Sequence, residues 1–427
     1  MREKHITAII LTVTLLCGCN SSSTPSYMSS SEQLESSVTP FDNPTISSAP
    51  DVPFITYLGN EDFEGTRTLE LYQNQNANDS GETPITYIHV GENGLEDTLT
   101  EMLASDNSPD LCVKTENCIP YLASKNIFED LTDYIDVSAP QWSGYSDFIR
   151  EFKFNNAQYF YPTEIIISPQ FLIYDSDRLT ALGTDDPAAL QEAGAWNIAA
   201  LEKILKSAPT ITGENAADNL FAAYGITLIS KNNANKYLFS DSEKIKNAYE
   251  FISANVQAPN GNTTQKLING SVSFLSGSED TLAEIRRSNA DFNAKIVPYP
   301  PESHSANNYK ATAVGYLVPL GAKNIKGAAS FINCSRIAAA ENEKNNNFVN
   351  TAGLTSPDVD AINNMRSPNG KEPIVFDVFP LDPETNTALK GLYNDAIDSG
   401  NDWDELMLNY KPAIDKGLDR INSLSKR

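Results

Sequence analysis

The chain has 427 residues, with 31 Lys and Arg against 56 Asp and Glu, a formal net charge of −25. Acidity of this degree excludes nucleic acid as a partner, because that contact needs a basic face, and it keeps the folded part off an anionic membrane surface. It does supply solubility.

The order of the chain begins with an export pattern. Arg2 and Lys4 precede an apolar run from Ile6 to Cys17. At about twelve residues this run fits a signal-peptide core and falls short of the ~20 residues of a permanent span. Leu16-Cys17-Gly18-Cys19 follows and resembles the bacterial lipobox. The resemblance implies a signal peptide over 1–18, cleavage before Cys19 and lipid attachment to its sulfur; a plain signal peptide is the alternative. Two or more acyl chains anchor stably where one binds only marginally. Residues 19–51 are rich in Ser, Thr and Pro. They cannot bury enough apolar surface to offset their ordering entropy, and read as a disordered tether. About 375 residues remain, more than one core usually supports, so two or three domains are expected.

From there strands and helices alternate, which favours an α/β class with largely parallel sheets. Pro53 to Gly59 reads as a strand, Phe63 to Gln75 as a helix and Pro84 to Val90 as a β-branched strand. Leu95, Leu99, Met102 and Leu103 stand at helical spacing. A short buried strand over Leu111 to Val113 and a helix over Tyr121 to Asn126 come next. Phe171 to Tyr174 is a strand, and Trp196 starts a helix to Leu205. Lys244 to Val256 is an amphipathic helix, while Val272 to Leu275 and Lys295 to Pro298 are strands. Val314 to Pro319 is a strand that enters a helix over Ile325 to Ala340. Asn386 to Leu424 is almost wholly helical, and no repeat of fixed period is evident.

Little in the sequence points to chemistry. There is no Gly-x-Ser-x-Gly elbow, no His-Glu-x-x-His and no phosphate-cradling glycine loop. The histidines are His5, His89 and His304, which leave no ligand cluster for a metal. No cofactor is expected. Cys112 and Cys118 are either a short disulfide or two buried thiols, and Cys334 sits on an apolar helical face. Asp398 to Glu405 lacks the spacing of a calcium loop and reads as a capped helix start.

Seven fragments, in order, resemble the bacterial extracellular solute-binding proteins of the maltose-binding type (family 1), the receptors of ABC importers. They are Ala104 to Leu111, Phe128 to Ile135, Tyr159 to Pro162, Phe171 to Asp177, Trp196-Asn197, Leu267 to Phe274, and Tyr316 to Asn324 with Ala328, Ala329, Phe331 and Ile332 following. The resemblance implies a periplasmic-binding-protein-like type II α/β fold, two α/β lobes joined by crossing hinge strands. Lobe 1 would hold 52–167 plus 317–355, and lobe 2 would hold 168–316 plus 356–427. The crossings would fall near Ile165 to Leu172 and Ala313 to Pro319.

The same resemblance implies a small solute, a carbohydrate in the first instance, held in the cleft where strand C-termini point and enclosed by hinge motion. It places Tyr161, Ser168, Gln170, Glu279, Asp280 and Tyr316 as ligand-binding candidates, with no catalytic residue. It further implies a monomer that works with ABC permease subunits and touches the membrane through its N-terminal lipid alone. One departure stands out: after Gly270, sugar-binding members often carry an aromatic residue, whereas here Ser276-Gly277-Ser278-Glu279-Asp280 follows. That acidic pair would suit a polyhydroxyl or amine-bearing ligand. Two rival readings are a receptor-like lipoprotein that docks a partner protein or sensor, and a secreted glycoside hydrolase.

Overall fold

The structure is a computed structural model. It describes residues 54–424 apart from 76–83, 91–93, 116–117, 168–169, 209, 233–235, 241–242, 289–291, 303–308, 346–352, 367–373, 377–380 and 399–401. The expected signal peptide, Cys19 and the tether therefore lie outside the described residues, as do Ser168 and His304.

The first part of the chain forms β1 (Ile55–Gly59), α1 (Arg67–Gln75), β2 (Ile85–His89), α2 (Leu95–Ala104) and β3 (Leu111–Val113). The short α3 (Ser146–Glu151) and β4 (Glu164–Ile167) lead onward. Then come β5 (Phe171–Asp175), α4 (Ser176–Ala181), α5 (Pro187–Glu192), α6 (Ile198–Leu205), β6 (Ile211–Gly213) and α7 (Ala216–Ala223). A hairpin of β7 (Ile229–Lys231) and β8 (Tyr237–Phe239) precedes α8 (Glu243–Asn255) and α9 (Thr263–Ile268). After β9 (Phe274–Gly277), α10 (Glu279–Ser288) and β10 (Ala294–Pro298), the chain runs through β11 (Tyr309–Val314) and β12 (Tyr316–Leu317). It closes with α11 (Ile325–Asn345), α12 (Ser356–Arg366), β13 (Ile374–Phe376), α13 (Pro383–Asp398) and α14 (Trp403–Leu424).

The first sheet has the order β12-β3-β1-β2, with β1, β2 and β3 parallel and β12 antiparallel. Side chains alternate along β1, so Tyr57 and Leu58 serve opposite cores. Tyr57 packs with Phe63, Tyr72, Tyr316 and Phe331 on the side of α1 and α11. Leu58 packs with Leu95, Leu99 and Cys112 on the side of α2. The carboxylate of Asp110 ties the layers together, accepting from Thr56 N at 2.9 Å and from Asn324 N at 2.7 Å.

The second sheet has the order β10-β5-β9-β6. Here the expectation of largely parallel pairing fails: β5 is antiparallel to both β10 and β9, and β6–β9 is the one parallel pair. A central strand followed by short helices, rather than one crossover helix, permits this arrangement. Gly213 closes β6 at φ +121°, and a Cβ there would stand 2.3 Å from Ser276 O, so only glycine allows the close approach to β9.

Between the two sheets runs a third, β13-β11-β4. β4 and β11 are antiparallel, with Val314 opposite Glu164 and Ala311 opposite Ile167. The strand expected as one piece over Val314 to Pro319 is thus divided at Gly315, its halves belonging to different sheets. The helix expected over Tyr121 to Asn126 is a single 3-10 turn, Ala123–Lys125, stopped by Asn126 at φ 55°. Cys112, Cys118 and Cys334 are buried free thiols.

Arg336 of α11 anchors the start of β4 from within the core. It is 2 % exposed, and its guanidinium donates to Gln141 O, Tyr145 Oη and Thr163 O at 2.9, 3.0 and 2.9 Å. A two-point pair with Glu343 at 2.8 and 2.7 Å completes it. A buried ion whose partners are all in place is costly to break, because the remaining groups lose their donors. Arg336→Met should lower the unfolding free energy by about 3 kcal/mol, read from the urea midpoint; a midpoint equal to that of the unsubstituted protein would show that the anchor contributes nothing.

Candidate functional site

The parallel strands of the first sheet end together, with Gly59 opposite His89 and Leu58 opposite Cys112. Such an edge is where ligands meet open α/β sheets. Just beyond β1 stand Asn60, Glu61 and Asp62, of which Asn60 and Asp62 are exposed and Glu61 half-buried. Tyr316 enters at the same edge opposite Val113 and donates its hydroxyl to Glu61 Oε2 at 3.2 Å. Its ring lies among Tyr57, Phe63 and Phe331 at 6.1, 5.9 and 5.4 Å. Burial raises the Glu61 carboxyl above its ordinary value, and the Tyr316 hydroxyl partly opposes that. The Tyr316 phenol is itself pushed well up, by burial first and by Glu61 second. Alongside, His89 stacks on Tyr87 with centroids 5.6 Å apart and planes within 2°.

A matching edge exists on the second sheet. Phe171, the first residue of β5, pairs with Gly277 at the end of β9 and with Pro298 at the end of β10. Ser276 pairs with Gly213 at the end of β6. The groups brought to this edge are the half-exposed Gln170, then Glu279 and Asp280 in the first turn of α10, then Glu214 and Tyr299. Glu279 and Asp280 also suit the positive end of a helix, an ordinary reason for acids there. Ser276 Oγ donates to Glu214 O at 2.8 Å. The Tyr299 hydroxyl lies beside Ser276 and Asn219, and burial pushes its phenol up.

Of the residues expected from the sequence, Gln170, Glu279 and Asp280 are brought together on the second sheet, and Tyr316 stands at the edge of the first. Tyr161 is placed differently. It is 3 % exposed, its ring 5.7 Å from Trp142 in the first core, and burial pushes its phenol up to about 12. Ser168 lies outside the described residues. Sequence reading passed over Glu61, Glu214, Asn219 and Tyr299. For Glu61 a signal existed, since Asn60-Glu61-Asp62 directly follows a strand ending in Gly59. Asn219 and Tyr299 gave none, because each is far in sequence from the edge it joins.

Among the described residues, no group of three or more His, Cys, Asp or Glu side chains is arranged to hold a metal ion. No described helix is long and apolar enough to cross a membrane.

The sequence profile of the bacterial extracellular solute-binding proteins matches residues 72–361. The chain belongs to that family, and its fold is the two-lobed α/β fold of periplasmic solute-binding proteins. No curated protein matches it by sequence. Several solved structures are similar in fold. An uncharacterised protein from Listeria monocytogenes EGD-e is 14 % identical, with a TM-score of 0.61 over 85 % of this chain and 99 % of that one. A cyclo/maltodextrin-binding protein complexed with maltotetraose is 12 % identical, with a TM-score of 0.58 over 86 % and 98 %. A protein from Mycobacterium tuberculosis in complex with glycerophosphocholine is 15 % identical, with a TM-score of 0.54 over 86 % and 99 %. The family is one of solute-binding proteins, and its name places its members outside the cytoplasm.

The raised Glu61 carboxyl gives a direct test. Its titration, followed by carboxyl carbon NMR, should have a midpoint above the usual glutamate range, and Tyr316→Phe should raise it further by removing the one hydrogen bond that opposes burial. Because the folded value lies above the unfolded one, the protein should gain stability as pH falls through the folded value toward the unfolded one. A midpoint that is ordinary, or that drops in Tyr316→Phe, would contradict this geometry.

Proposed function

We propose that this chain is the substrate-binding lipoprotein of an ABC importer, capturing a sugar or oligosaccharide in the cleft between its lobes by hinge closure. Lobe 1 comprises 52–167 plus 317–355, and lobe 2 comprises 168–316 plus 356–427. The observation that carries the reading is the gathering of Gln170, Glu279 and Asp280 at one edge of the second sheet, with Glu61 and Tyr316 at the strand ends of the first. Carboxylates and amides take pairs of sugar hydroxyls, and a few placed polar groups on an otherwise apolar frame are what a small-molecule site needs. The maltotetraose complex of a fold neighbour supports a carbohydrate.

In this reading Cys19 carries the lipid, the tether to residue 51 holds the lobes away from the membrane, and permease subunits receive the closed, loaded form. Ligand capture needs no bond making, so the chain acts as a receptor and not as an enzyme. Carboxylates dominate both edges, which favours hydroxyl or amine donors on the ligand over an anionic group.

The test is thermal melting of the Cys19→Ser chain with maltotetraose, galactose, an amino sugar and glycerophosphocholine. A ligand at a hundred times its dissociation constant adds about 2.7 kcal/mol to the folded state, which moves the midpoint of a protein this size by a degree or more. One sugar class should produce that shift, and Gln170→Ala or Glu279→Ala should weaken it roughly tenfold in affinity, as expected for about 1.4 kcal/mol of lost hydrogen bonding. A cooperatively folded protein that no sugar shifts would overturn the carbohydrate assignment.

The anchor is checked separately. Cells expressing the unsubstituted chain should carry it in the membrane fraction with a lipid adduct, while Cys19→Ser should leave it unlipidated. An adduct-free mature protein that begins elsewhere would point to plain secretion.

A further inference from the structure

Apart from the crossing strands, a second junction ties the two halves of the chain together. It involves three elements, each of which sends a side chain to the backbone of another. Lys231, the last residue of β7, donates its ammonium to Glu151 O and to Lys153 O, the latter at 3.1 Å, at the C-terminal end of α3. Asn155, just after α3, donates its amide to Leu424 O at 3.2 Å, the last carbonyl of α14. Asn422 of α14 clasps Tyr237 of β8 on both sides, accepting from its N–H at 2.9 Å and donating to its carbonyl at 2.8 Å.

Local sequence explains why these groups are presented. Asn155 and Asn156 have φ of 51° and 65°, and Phe154 and Ala157 exchange backbone hydrogen bonds across them at 3.1 and 2.9 Å. That is a tight turn requiring two left-handed residues, for which asparagine is suited. The turn projects Phe154 onto Tyr237, with centroids 6.5 Å apart, while the Lys231 ammonium lies 5.3 Å from the Tyr237 ring. Phe154 and Tyr237 are 3 % and 4 % exposed, so the polar contacts surround two buried rings. A cation at a helix C-terminus satisfies carbonyls that the helix leaves unpaired.

The two sides of this junction are tied to different parts of the fold. Residues 154–158 are held to the first part, since Gln158 N donates to Asp130 Oδ1 at 3.0 Å and Leu131 N to Gln158 O at 3.0 Å. The β7–β8 hairpin packs on α14, which packs on α13 and α8; both of those contact α7 beside β6 of the second sheet. Any rotation of one lobe against the other must therefore pivot about this junction or break it.

We propose that Lys231, Asn155 and Asn422 form an interlobe strut that sets the separation of the lobes before ligand arrives, and so are positioning residues for capture. The inference rests on the two-lobed receptor reading above. Its consequence for binding is indirect: apparent affinity scales with the fraction of molecules in the competent arrangement, so residues that never touch ligand can tune it.

The test uses the Cys19→Ser chain with spin labels at Glu101→Cys and Lys206→Cys, exposed positions on α2 and beside α6. The described native thiols are buried. Without ligand, the distance distribution should be narrow in the parent, and broadened or displaced in Lys231→Met and in Asn155→Ala. Lys231→Arg, which keeps the cation, should restore the parent distribution. Asn155→Ala serves as the milder variant should Lys231→Met fold poorly. Distributions in both variants that superpose on the parent would overturn the strut. Maltotetraose and galactose added to the parent score the receptor reading separately. A label distance that shifts in the variants but not with any sugar would leave the strut standing and count against sugar-driven closure.

Discussion

Everything in the candidate site depends on one antiparallel pair, β4 with β11. These strands pass between the first and second sheets; β4 pairs with β11, which pairs with β13 on its other side. Main-chain donors and acceptors inside a fold must be paired, so the register Val314 opposite Glu164 is hard to slip. Thr163 N donates to Val314 O at 2.8 Å and Lys114 N to Gly315 O at 3.0 Å, which carries the register directly into the first sheet. The buried guanidinium of Arg336 then holds Thr163 O from the α11 side. Tyr316 therefore has one available position, and with it the hydroxyl that meets Glu61.

On each side of that pair the chemistry is of one kind. Hydroxyls, amides and carboxylates stand at strand ends, while apolar rings fill the layers behind them. The first edge places a half-buried acid beneath a wall of tyrosine and phenylalanine. The second carries acids at the start of α10 and includes the buried Asn219 and Tyr299.

Much of this was readable in the sequence, and the reasons are specific. The short buried strand over Leu111 to Val113 was readable, and Asp110 just before it ties β1 to the start of α11. The helix expected from Trp196 starts at Ile198, and Asn197 caps it by accepting from Ala200 N at 2.9 Å. Short apolar runs located β1, β2 and β5 to within a residue or two. What stayed hidden was non-local. The antiparallel character of the second sheet depends on which strands meet, which no period reports. The break at Gly315 is set by two sheets claiming successive residues. The burial of Tyr161 against Trp142, nineteen residues earlier in the chain, is likewise set by tertiary packing. The junction of Lys231, Asn155 and Asn422 joins three distant segments and left no local trace beyond the Asn155-Asn156 pair.

The central claim is that two lobes close around a sugar. Small-angle X-ray scattering of the Cys19→Ser chain, with and without the sugar that raises its melting midpoint, addresses it most directly. The account predicts a smaller radius of gyration in the presence of that sugar and no change with sugars that leave the midpoint alone. A sugar that stabilises the protein while leaving the scattering profile unaltered would contradict closure.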